Sequence, residues 1–248
     1  MSCTARAHRS PEWPKGQRPR AREVVAAVCC LLVLTAGCSH DASGSAAPVV
    51  ADPAGPQTGA APDGTGHAIS FTVVGDSITA GLAGPVRGTE VPESGSWLGT
   101  ADVYPLQFRG GYAVPGATTL DMESGVHPVD ADVLVVMAGT NDVGTQVPWE
   151  ETRDNLLTIT GTVGPDTVLL VAVPPHDGIP RLTAELNGQL TALAAEQGWA
   201  HLDPWDGAAT EEGTYSAGSS DDGVHPTQAV ADLVGDRIRA ALVELAAQ

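Results

Sequence analysis

The chain has 248 residues, 42% of them hydrophobic, and a formal net charge of −18. Its length suits one domain with extensions, and its acidity argues against a nucleic-acid partner, because such a surface repels phosphate backbones. Cys3, Cys29, Cys30 and Cys38 are its four cysteines, too few and too bunched at one end for a disulfide framework.

In chain order, residues 1–37 have the pattern of a targeting segment. Lys15, Arg18, Arg20 and Arg22 form a basic region ahead of residues 24–35, an apolar stretch too short to span a bilayer comfortably as a mature helix. The stretch runs into Thr35-Ala36-Gly37-Cys38. This resembles the lipobox of bacterial lipoproteins, in which small residues precede a cysteine that is lipidated and becomes the new N-terminus. Cys38 is therefore the expected lipidation site, although Thr35 stands where leucine is commonest. An ordinary secretory signal or an uncleaved anchor is the alternative.

Removal of residues 1–37 takes away six of the 12 basic and two of the 30 acidic residues, leaving six arginines against 28 carboxylates, a net −22. Anionic headgroups would repel such a surface, so membrane contact is expected only through a lipid anchor on the outer face of the cell membrane. A secreted form is the alternative. Only Cys38 would remain in the mature chain, which leaves no intrachain disulfide, no cysteine-based zinc site and no thiol chemistry.

Residues 38–67 are rich in Ala, Gly, Pro, Ser and Asp, lack apolar periodicity and read as a flexible tether. A domain is expected over residues 68–248. In it, residues 69–74, 133–137 and 168–173 are apolar runs that read as buried parallel strands. Residues 149–163, 179–197 and 227–247 read as helices. In the last of these, Val230, Leu233, Val234, Ile238, Ala241, Leu242 and Leu245 form one stripe, and Pro226 suits the first turn. Strands alternating with helices predict a doubly wound α/β sandwich.

Ser77 follows the strand 69–74 and Gly75. A serine at the carboxyl end of such a strand faces the crevice where open α/β sheets bind ligands. Three other stretches end strands or begin helices. They are residues 110–119, the run Met137-Ala138-Gly139-Thr140-Asn141-Asp142, and Asp221-Asp222-Gly223-Val224-His225-Pro226. Asp222 and His225 lie three apart at a helix entry, where a carboxylate can accept the imidazole Nδ1–H and leave Nε2 as a base. Spacing alone leaves Asp221 open for the same role.

Gly75-Asp76-Ser77-Ile78, Gly116, Gly139-Thr140-Asn141-Asp142 and Asp222-Gly223-Val224-His225 together resemble, in order, the four blocks of the SGNH hydrolases, also called GDSL esterases and lipases. The resemblance implies a three-layer α/β/α sandwich with a flavodoxin-like five-stranded parallel sheet. It also implies Ser77 as nucleophile, His225 as base and Asp222 as its orienting carboxylate. The oxyanion hole would be the backbone N–H groups of Ser77 and Gly116 with the Asn141 side-chain amide. The asparagine that usually precedes the second block's glycine is replaced by the run Tyr112-Ala113-Val114-Pro115, and Gly111 is the alternative glycine.

The implied activity is hydrolysis of a small-molecule or glycan carboxylic ester through an acyl-enzyme, by a monomer, with no cofactor. An acyltransferase using the same groups and a non-catalytic binding lipoprotein are the rival readings. The Gly-x-Ser-x-Gly elbow of α/β-hydrolases is absent from the sequence. His127, His176 and His201 lack metal-ligand spacing. The stretch Pro174-Pro175-His176-Asp177-Gly178 reads either as a crevice wall or as an ordinary loop. Trp97, Tyr104 and Trp149 are expected in the core, with a substrate platform as the alternative.

The lipobox reading makes Cys38→Ala the decisive change at the N-terminus. The variant is expected to leave the membrane fraction; a variant that stays bound through an uncleaved leader would refute lipidation.

Overall fold

In the computed structural model, residues 68–248 are described; the expected leader, the tether and Cys38 lie outside them. The elements run β1 (Ile69–Gly75), α1 (Ser77–Ala80), α2 (Leu98–Ala101), β2 (Leu106–Ala113), α3 (Thr119–Gly125) and β3 (Val133–Met137). They continue with α4 (Thr140–Thr145), α5 (Trp149–Val163), β4 (Thr167–Val171), α6 (Pro180–Gln197), β5 (Ala200–Leu202) and α7 (Gln228–Leu245). The five strands form one sheet in the order β2-β1-β3-β4-β5, and every neighbouring pair is parallel.

The side-chain period of two separates the sheet's faces. On one face Phe71, Val73, Val135 and Met137 pack with Leu98 of α2 and with Val234, Ile238 and Leu242 of α7. On the other, Val74, Leu134, Val136 and Leu170 pack with Leu156 and Ile159 of α5 and with Leu186 and Leu190 of α6. β3 is therefore covered on both sides, which is why all five of its residues are apolar and buried. The result is the expected three-layer α/β/α sandwich. Among the described residues no helix is long and apolar enough to cross a membrane.

Helix ends follow local chemistry. Glu150 and Glu151 sit in the first turn of α5, where the helix dipole favours negative charge, and Gly164 closes it in the left-handed conformation. Pro180 occupies the first turn of α6, and Gly198 ends it in the same way as Gly164. In α3, Thr118 and Asp121 form a reciprocal capping box.

Three expectations need correction. The strand expected over 168–173 stops at Val171, although Ala172 and Val173 stay buried. Pro226 precedes the N-cap Thr227 and bridges to Ser220 instead of entering the first turn of α7. The buried stripe of α7 is Ala231, Val234, Gly235, Ile238 and Leu242, with Leu233 40% exposed. Gly235 lies against the backbone of Trp97, a close approach that a side chain would prevent. The apolar runs predicted neither edge strand. β2 alternates buried Leu106 and Phe108 with exposed Gln107 and Arg109, and β5 is three residues long.

β2 also carries an extra residue against β1. Phe71 pairs with Phe108 but Val73 pairs with Gly111, a bulge whose Gly110 carbonyl accepts from the Thr72 hydroxyl at 2.8 Å. Gly111 has φ +147°, and a Cβ there would overlap the Val73 backbone. Gly116 has φ +81° but open space around the same position. Gly116→Ala should therefore cost about 1–2 kcal/mol for the left-handed conformation alone. Gly111→Ala must also push β1 and β2 apart. Thermal unfolding of both variants is expected to show a much larger drop for Gly111→Ala; equal drops would count against this packing.

Candidate active site

Parallel strands end on one edge, and in this order the chain reverses direction across the sheet between β1 and β3, which opens a crevice there. β1 ends at Gly75, and Asp76 caps the single turn α1, its Oδ1 accepting from Ile78 N–H at 2.9 Å. Ser77 is the first residue of that turn. Thr79, fully buried on the same turn, accepts from Trp97 Nε1 at 3.2 Å through its hydroxyl. Its carbonyl accepts from the Ser96 hydroxyl at 2.6 Å. The serine thus stands on a braced mount and is itself 9% exposed.

His225 reaches Ser77 from the loop before α7. Its Nε2 lies 2.9 Å from Ser77 Oγ, and its Nδ1 lies 2.7 Å from Asp222 Oδ2. An ionised carboxylate only accepts, so Nδ1 carries the proton and Nε2 presents its lone pair to the hydroxyl. The turn folds around the other oxygen of Asp222, which accepts from the N–H groups of Val224 at 2.9 Å and His225 at 2.8 Å. Partial burial raises the Asp222 pKa, but these hydrogen bonds and the facing imidazole outweigh that and hold the carboxyl far below the usual range. Asp221 is exposed and makes no hydrogen bond to His225, so of the two aspartates Asp222 is the imidazole's partner.

The stretch 174–178, read from sequence as a crevice wall or an ordinary loop, braces this turn. Asp177 N–H donates to Gly223 O at 2.9 Å, and Asp177 Oδ1 accepts from Tyr215 N–H at 2.8 Å. The Tyr215 hydroxyl in turn donates to Val224 O at 3.0 Å. Burial, with Asp222 and Asp177 nearby, pushes the phenol's pKa up, so it keeps the proton it donates. Nothing in the residue pattern around Tyr215 distinguished it in the sequence.

Gly116 lies on the turn between β2 and α3, and its N–H has no hydrogen-bond partner among the described residues. Gly111 belongs to the sheet, as its pairing with Val73 requires. Asn141 stands near the start of α4, directly beyond β3. Its Nδ2 donates to Ala117 O at 2.9 Å and, more weakly, to Asp76 Oδ2 at 3.3 Å. The structure therefore brings Ser77, His225, Asp222 and Asn141 together, and ties Asn141 to the residue after Gly116. A serine hydroxyl bonded to an oriented imidazole can be deprotonated as it attacks, and the amide and backbone donors can receive negative charge.

The remaining candidates lie apart from these bonds. His176 Nδ1 accepts from Gly178 N–H, and burial holds the His201 imidazole's pKa below its ordinary value. Among the described residues no three His, Cys, Asp or Glu side chains cluster as a metal site. Trp97 is in the core as expected. Tyr104 departs from expectation at 65% exposed. Trp149 is half-buried and lines a cavity of about 300 Å³ with Val143, Leu182 and Leu186, between α4, α5 and α6. A second cavity, of about 230 Å³, adjoins α1 and is bounded by Ala80, Val86, Arg87, Glu90 and Val91.

Comparison with known proteins bears on this geometry. Residues 73–233 match the model of the GDSL-like Lipase/Acylhydrolase family. No curated protein matches the chain. Among solved structures, a lipolytic protein of the G-D-S-L family from Desulfitobacterium hafniense aligns with a TM-score of 0.58 at 16% identity, over 69% of this chain and 98% of that one. A G-D-S-L family member from Veillonella parvula gives 0.56 at 19%, over 71% and 99%. A lipase/acylhydrolase from Enterococcus faecalis gives 0.53 at 20%, over 71% and 96%. At such identities the likeness is one of fold.

Asp76 is the titrating group that sequence reading left without a role. It is 1% exposed, and burial raises its pKa from 3.8 to about 6, opposed by the Ile78 N–H and by the facing His225 and reinforced by Asp142. A carboxyl whose folded value is raised stabilises the fold below the unfolded value, and that contribution is lost as pH rises through about 6. The gap is worth about 3 kcal/mol. Asp76→Asn removes the titration, so the melting temperature of the variant minus that of the parent should increase between pH 4 and pH 7. A difference independent of pH would show that Asp76 is not perturbed.

Proposed function

The chain belongs to the GDSL-like lipase/acylhydrolase family, and from that premise we propose that it is a serine esterase that cleaves carboxylic esters through an acyl-enzyme. The observation that carries the reading is the unbroken line from Ser77 Oγ to His225 Nε2 at 2.9 Å and from His225 Nδ1 to Asp222 Oδ2 at 2.7 Å.

In the proposed reaction Ser77 Oγ attacks the ester carbonyl while His225 Nε2 takes the hydroxyl proton. Asp222 holds the tautomer and stabilises the imidazolium. The carbonyl oxygen becomes an oxyanion that receives hydrogen bonds from Ser77 N–H, Gly116 N–H and Asn141 Nδ2. One such donor is worth about 3 kcal/mol in the transition state. Collapse of the tetrahedral adduct expels the alcohol, which takes the proton from His225. Water, activated by the same imidazole, then attacks the acyl-serine, and the carboxylic acid leaves with Ser77 restored.

Small acyl groups, including acetyl esters of carbohydrate or lipid, are the proposed substrates. We place the enzyme outside the cell as a monomer held by a lipid on Cys38.

A fluorophosphonate should label the parent protein on the peptide containing Ser77. On a simple aryl acetate, Asp222→Asn should lower kcat/KM by roughly 10³–10⁴-fold, while Asp221→Asn stays within a few-fold of the parent. Because Asp222 is held far below the usual range, it stays ionised as pH falls, and the base has to be neutral to accept the Ser77 proton. Activity should therefore rise with pH and level off. Near-parent activity in His225→Ala would end this mechanism.

A further inference from the structure

We infer that Asp142 is a positioning residue that sets the spacing of the two oxyanion donors lying outside the nucleophile turn. The inference rests on the ester-hydrolase reading, but its observations are separate. Asp142 is 1% exposed and follows Asn141 on α4. Its carboxylate does not point at Ser77's partners. Oδ2 accepts from Thr119 N–H at 3.0 Å, and Oδ1 accepts from the hydroxyls of Thr119 at 2.5 Å and Thr152 at 3.2 Å. Asn155 Nδ2 adds a bond to the Thr119 hydroxyl at 3.0 Å. Thr119 and Thr152 are 0% and 1% exposed, so the network is largely shielded from bulk water, with Asp142 and Thr152 at the wall of the cavity between α4, α5 and α6.

Thr119 is the first residue of α3, three beyond Gly116, on the segment that presents the Gly116 N–H. Asp142 is one residue beyond the Asn141 amide. The carboxylate therefore staples the segment bearing one donor to the helix bearing the other. Nearer the site, the Asn141–Ala117 bond at 2.9 Å makes a second tie between the same two segments.

A buried carboxylate is a poor choice for stability alone, since desolvation opposes it and an apolar side chain of similar volume would fill the space. What directed hydrogen bonds provide is a fixed distance between two backbones. An oxyanion hole needs such a distance, because its donors act only when held within about 0.5 Å of the productive geometry. Loss of the staple would leave the base, the nucleophile and the substrate contacts in place while the donors drift apart.

The signature is thus a fall in kcat with little change in KM, measured per active site and well below the melting temperature. On an aryl acetate, Asp142→Asn and Thr119→Val should each lower kcat by tenfold or more with KM within about twofold. Both should weaken inhibition by a boronic acid, whose tetrahedral adduct uses the same donors, in proportion to kcat. Thr119→Ser, which keeps the hydroxyl, should recover most of what Thr119→Val loses. If Asp142→Asn fails to fold, Thr119→Val and Thr119→Ser decide the matter. Melting temperatures that fall while kcat and boronate affinity stay at parent values would make Asp142 a structural residue only and overturn the inference. A parent protein with no esterase activity and no labelling at Ser77 would instead remove the hydrolase reading on which the inference stands.

Discussion

In a parallel sheet every strand delivers its carboxyl end to the same edge, and the groups assembled here depend on that constraint. β1 presents Ser77, the turn after β2 presents Gly116, and α4 presents Asn141 directly beyond β3. No long-range docking is needed to bring these three together, because sheet registry has already done so. His225 alone arrives from elsewhere, and its loop is correspondingly the most heavily braced part of the site. The Asp177 and Tyr215 bonds fix its backbone, and Asp222 fixes its ring.

Three aspartates around this edge show how environment divides one side chain into separate tasks. Asp222 is half-exposed and receives backbone and imidazole donors, so its negative charge is strongly favoured. Asp76 is buried beneath the nucleophile with fewer donors, and burial pushes it toward the neutral form. Asp142 is equally buried but is bonded by Thr119 and Thr152, the two threonines it joins across the interior. Solvation and donor count separate Asp222 from Asp76, as general electrostatics requires.

Much of the fold was legible because the central strands are covered on both faces. Burial of that kind leaves continuous apolar runs such as Val133-Leu134-Val135-Val136-Met137, which few other structures explain. β2 and β5 gave no comparable signal. An edge strand has one wet side, so β2 includes Gln107, Arg109 and two glycines, and β5 is too short to show a period. The α7 stripe went astray at Leu233 because small residues mark close helix packing. Gly235 faces α2 and Trp97, where a side chain would not fit, and Ala231 is buried on the same helix.

The sequence by itself determined which residue types were on hand for the chemistry and where each stood relative to a strand end, because strand ends and glycine turns are written locally. With the family resemblance it named Ser77, Asn141, His225, Asp222 and Gly116, while residue spacing alone left Asp221 against Asp222 and Gly111 against Gly116 open. Only the tertiary structure shows which aspartate bonds the imidazole and which glycine the sheet takes up. The choice of aspartate depends on which carboxylate the turn aims at the imidazole. The choice of glycine depends on whether its missing side chain makes room for a neighbouring strand or faces open space. The long-range bonds of Asp142, Asp177 and Tyr215 were likewise invisible in the chain. Each acts on a partner distant in sequence, and such a partner exists only once the strands and helices have packed.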